Sequence, residues 1–113
     1  MLYPISLSEL GKVDLVPQAI LNKPVSYFEK RGIHFVKGED ELDTYEGAAF
    51  LLDNNVRFAL KHHPGYPDDT TTVCLAKSIH DLQQITKLVR KIVEALELSL
   101  AVIQWQRSDN PEL

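Results

Sequence analysis

Residues 82–96 constrain the fold more than any other part of this chain. Leu82, Ile85, Leu88, Val89, Ile92, Val93 and Leu96 recur at helical spacing and form one broad apolar stripe. Gln83, Gln84, Lys87, Arg90, Lys91, Glu94 and Glu97 fall on the opposite, solvated side. Ser78 at the cap, with Asp81 in the reciprocal position, opens a predicted helix over 79–97. A stripe that wide has to be buried against other elements, and most of the preceding sequence reads as strand.

The clearest strand signal is "GAAFLLDNNVRFALKHH", where two runs rich in Phe, Leu and Val flank Asn54-Asn55. Asparagine tolerates the positive φ of a tight turn, so a two-residue loop is expected within a central hairpin over 47–63. That register pairs Leu51 with Phe58, Ala49 with Leu60 and Gly47 with His62 on a core face. The other face then carries Leu52 with Arg57, Phe50 with Ala59, Ala48 with Lys61 and Glu46 with His63. "IHFVK" (33–37) and "TTTVCLA" (70–76) read as further strands. "LSLAVIQWQ" (98–106), apolar at both parities until Gln104, reads as a strand buried on both faces.

The N-terminal part carries helix signals instead. "SLSE" (6–9) has the form of a capping box, and Pro17 opens a possible helical piece in "PQAILNK". Pro24 suits a first helical position and Gly32 the residue beyond a last, so 24–31 reads as two helical turns. The expected fold is α+β: one domain over 1–106, followed by a polar tail over 107–113. A mixed sheet of four to five strands packs on the long C-terminal helix, with short N-terminal helices beside it. If strands 70–76 and 99–106 are parallel in one sheet, the helix between them makes a right-handed crossover.

A chain of 113 residues with 44% apolar and 25% charged residues can bury one core. Its net charge of −4 weighs against a general nucleic-acid binder. Cys74 is the single cysteine, so there is no internal disulfide and no cysteine cluster for zinc. No run reaches the ~18 apolar residues that a membrane-spanning helix needs. These features, with an N-terminus unlike a secretory signal, give the expectation of a soluble, cytoplasmic protein.

Chemistry concentrates in "KHHPGYPDDTTT" (61–72). His62 and His63 are adjacent, so on a strand they point to opposite faces and do not chelate one metal. Pro64, Gly65 and Pro67 are turn formers, and Asp68 and Asp69 are expected to bond back to following amides. His62, His63, Tyr66, Asp68 and Asp69 are therefore candidate ligand positions on a stiff loop, and Trp105 is a candidate interface aromatic. The acidic stretch 38–47 reads as a solvated loop without the ligand order of an EF-hand.

The expected order α-β-β-β-α-β resembles the core of restriction-type nucleases. Asp53 and Lys61 fall at two of the positions that such enzymes use. Their triplet here reads Ala59-Leu60-Lys61, with alanine where a metal-binding acid belongs. The sequence thus favours a non-catalytic module that binds another protein or itself as a dimer, without a cofactor. The competing reading is a metal-dependent hydrolase or nuclease-like enzyme using His62, His63, Asp68 and Asp69, or Glu46, Asp53 and Lys61.

Overall fold

The structure, a computed structural model, describes residues 2–10, 14–39, 44–53, 56–79 and 81–106. Its strands are β1 (Leu2–Ile5), β2 (Leu15–Leu21), β3 (Val36–Glu39), β4 (Thr44–Leu52), β5 (Val56–His62), β6 (Thr71–Ala76) and β7 (Ile103–Gln106). The helices are α1 (Val25–Glu29) and α2 (Leu82–Ala95), with 3-10 turns at Leu7–Leu10 and Leu100–Val102.

Among the described residues the sheet has seven strands, ordered β1-β4-β5-β6-β2-β7, with β3 also on β4. This corrects the expectation of four to five strands, and every pairing is antiparallel rather than mixed. β1 and β3 lie end to end along one edge of β4, on residues 49–52 and 44–47 respectively.

The extra strands come from the segment expected to be helical. Leu15, Val16, Ala19, Ile20 and Leu21 gain more from cross-strand packing between β6 and β7 than a short helix offers. Pro17 sits at a register shift against β6, beyond the reach of β7, where a missing N–H is tolerated. β1 is an edge strand, which accommodates Pro4. Of the expected N-terminal helices there remain α1, five residues long, and one 3-10 turn. The structure also places β2 between β6 and β7, antiparallel to both, so the two strands joined through α2 are not sheet neighbours.

The hairpin is present, but its register is one residue from expectation. Leu52 pairs with Val56, so residues 53–55 connect the strands, with Asp53 at φ 52°. Asn54 and Asn55 themselves lie outside the described residues. Aspartate is among the few side chains that enter the left-handed region readily. A slip of one residue exchanges the faces. Phe50 now opposes Phe58 with stacked rings 5.4 Å apart, and both are buried with Ala48, Leu52 and Leu60. The two-residue loop would have put these phenylalanines on opposite faces.

α2 runs shorter than 79–97. Asp81 is its N-cap and accepts from the Gln83 amide at 2.9 Å. Ile85, Leu88, Val89, Ile92 and Val93 are buried against Phe50, Phe58, Leu60, Val73 and Leu75, and α1 adds Val25 and Phe28 to that cluster. The stripe read from sequence is the core face from Ile85 to Leu96, while Leu82, at the start of the helix, is exposed. The opposite sheet face has a smaller apolar cluster, in which Leu10 of the first 3-10 turn packs with Ala49 and Ala59. The C-terminal run is not a strand throughout: Ser99 caps the 3-10 turn, and only Ile103–Gln106 pair, as an edge.

Candidate functional site

The loop after β5 is tightly organised. His62 Nε2 donates to the Pro67 carbonyl at 3.2 Å, and the Thr70 hydroxyl donates to the same oxygen at 2.8 Å. The Thr70 amide joins them at 3.1 Å, and the Tyr66 amide donates to the His63 carbonyl at 3.0 Å. Threonine 70, not an aspartate, therefore closes the second turn. Asp68 and Asp69 are exposed, and among the described residues they form none of the expected bonds to following amides.

The adjacent histidines diverge, as strand geometry requires. His62 opposes Glu46, which in turn opposes Lys37 on β3, and His62 lines an open cleft of about 950 Å³ with Lys37, Glu39, Glu46 and Asp68. The expected pairing of His63 with Glu46 is replaced by this one. His63 turns to the other face and lies between the rings of Tyr45 and Tyr66, at centroid distances of 5.4 and 5.8 Å. Tyr66 therefore belongs with His63, while Asp68 belongs with His62. Asp69 joins neither group, and Trp105, half-buried on β7, lies across the sheet opposite Ile20.

Three residues at the centre of this region were not singled out from sequence. The Tyr45 ring lies over Gly38 and Gly47, where an added Cβ would come within 2.7 Å of it. Both glycines read from sequence as boundaries of an acidic loop, yet they make a floor for the ring. Across β4, Lys61 opposes Gly47 and sets its Nζ 4.1 Å from the Tyr45 ring centroid. The recoverable signal was parity: Tyr45 and Gly47 share a face two residues apart, and Lys61 faces that glycine in the observed register.

Among the described residues, no three His, Cys, Asp or Glu side chains gather as a metal-binding group. The nuclease-like trio is not assembled either. Asp53 lies at the hairpin turn, Glu46 at the far end of β4, and Lys61 opposes Gly47, on the face away from Glu46. Cys74 is buried mid-strand opposite Ala59 and Pro17. Among the described residues, no helix is long and apolar enough to cross a membrane. No protein-family model, curated protein or solved structure matches the chain.

Proposed function

We propose that this chain is a non-catalytic interaction module that assembles with a second copy of itself through β7. The carrying observation is the contrast among its edge strands. β1 contains Pro4, and β3 contains Lys37 and Glu39, all of which discourage further pairing. β7, "IQWQ", has neither proline nor charge and, among the described residues, pairs only with β2. Its outer edge offers backbone donors and acceptors beside Trp105, an aromatic suited to an interface. Two β7 strands running antiparallel about a two-fold axis would join the sheets, while the guarded β1/β3 edges would stop growth at two copies.

Light scattering at micromolar concentration tests this reading, with twice the mass of one chain expected. Gln104 is exposed, so Gln104→Lys adds an edge charge at little cost to the fold and is expected to return the monomer mass. A monomer for the unaltered chain at every concentration overturns the reading.

A further inference from the structure

The sheet edge opposite β7 contains a break. β1 pairs along β4 as far as Ala49 and β3 takes over at Gly47, so among the described residues Ala48 has no partner on that edge. The two chains leave the break toward opposite faces. Beyond Ile5 the chain enters the 3-10 turn whose Leu10 packs with Ala49 and Ala59, on the face away from α2. The chain entering β3 comes from the other face, where Phe35 is buried in the main cluster with α2 and Ile33 packs against it. The fork between them is a cavity of about 370 Å³. Ile5, Ser6 and Leu7 line it from the β1 side, and Ile33, His34 and Val36 from the β3 side. Gly47, Ala48 and Ala49 of β4 lie at its base, three small residues in succession that leave the fork unfilled.

The geometry points to this cavity as the binding site of a small, uncharged aromatic molecule. At ~30 Å³ per water, the space equals about twelve waters, the scale of one fused pair of aromatic rings. Charge complementarity decides the rest of the assignment. Charged residues make up 25% of the chain, yet among the described residues no Asp, Glu, Lys or Arg lines this cavity. An ion entering it would give up hydration with no opposite charge in return, so the lining selects a neutral guest. Phe50 also lines the cavity, its ring already stacked on Phe58. Aromatic rings gain from offset and edge contacts beyond the area that they bury, which favours a ring over an aliphatic chain. Polar groups are few here. The Ser6 hydroxyl is engaged with that of Ser8 at 2.8 Å, which leaves the exposed His34 to meet one polar atom of the guest. Val36, 41% exposed, stands at the opening.

Binding is read by NMR on the full-length, isotope-labelled chain. The probes are indole, its ring-carboxylated anion and octanol. Indole is expected to give saturable shifts at Ser6, Val36, Ala48 and Ala49, and to bind at least tenfold more tightly than either of the others. Val36→Glu exchanges an exposed side chain and puts a charge at the opening, so indole is expected to bind at least tenfold more weakly. Ser6→Trp offers the cavity an attached ring in place of the guest, is expected to have the same effect, and serves if Val36→Glu does not fold. The absence of saturable shifts at these residues, equal binding of indole and its anion, octanol binding as tightly as indole, or indole binding that survives both substitutions would each overturn the inference. β7 lies at the other end of the sheet, so the outcome is independent of whether the chain dimerises there.

Discussion

Two backbone positions show how single residues set local stability. α2 ends at Ala95 with Leu96 as its C-cap, and Glu97 takes φ 61° while the Leu98 amide donates to the Val93 carbonyl. This is the Schellman arrangement, whose left-handed residue is usually glycine. Glutamate there bears the Cβ cost of the left-handed region, and its exposed contact with Arg31, at 3.5 Å, offsets little. Glu97→Gly is therefore expected to stabilise the fold by about 0.5–1 kcal/mol, because relief of strain outweighs the added freedom of the unfolded chain. A denaturant midpoint that falls would show that the strain is already relieved in the native state. Gly47 is the converse case. A methyl group there meets Cε1 of the Tyr45 ring at 2.7 Å, so Gly47→Ala should cost about 1–3 kcal/mol. Much of that cost should vanish in a Tyr45→Ala background, as a double-mutant cycle would measure. The role of these glycines was not legible beforehand, because the clash depends on which residue faces which across strands.

At the scale of elements, periodicity identified what burial alone decides. The α2 stripe was readable because seven apolar positions recur at helical spacing, and all but Leu82 are buried. Ile92→Ala, at a fully buried position, should cost roughly 2–5 kcal/mol, whereas Glu94→Ala on the exposed face should stay within ~0.5 kcal/mol. Comparable shifts in urea melts for both variants would mean that the helix is rotated from this packing. The hairpin strands were equally readable, but their register was not. "LLDNNV" accommodates either a two-residue turn or one beginning at Asp53, and the choice falls to Phe50 and Phe58 finding one core. β2 was hidden for a related reason. Pro17 followed by Gln18 and Ala19 is a sound helix start locally, and only pairing on two sides, with the bulge accommodating the proline, makes it a strand.

The arrangement of the whole molecule depends on contacts between distant segments. β2 inserts between β6 and β7, and β1 closes on β4, so sequence neighbours are often separated in the sheet. No local pattern encodes such insertions, which explains why the α+β class was legible while the strand count and order were not. The two-sided role of β2 also ties β7 to the core: among the described residues β7 has no other sheet neighbour, and β2 contributes Ala19 and Leu21 to the main apolar cluster. A partner strand added to β7 therefore extends a sheet continuous with the core and should stabilise the native state as a whole. If two copies unfold and dissociate together, each tenfold rise in concentration adds about 1.4 kcal/mol per mole of dimer by mass action. Two chains of this length, at about 2.1 cal/mol/K per residue, convert that into a rise in Tm of about 3 °C per decade. Calorimetry from 5 to 500 µM is thus expected to show about 6 °C of upward drift in the unaltered chain. Gln104→Lys should show almost none, because adding an edge charge removes the pairing without touching the core. A flat Tm in the unaltered chain, with light scattering still giving a dimer mass, would place the contact on a surface that contributes no stability to the fold and would exclude the continuous sheet.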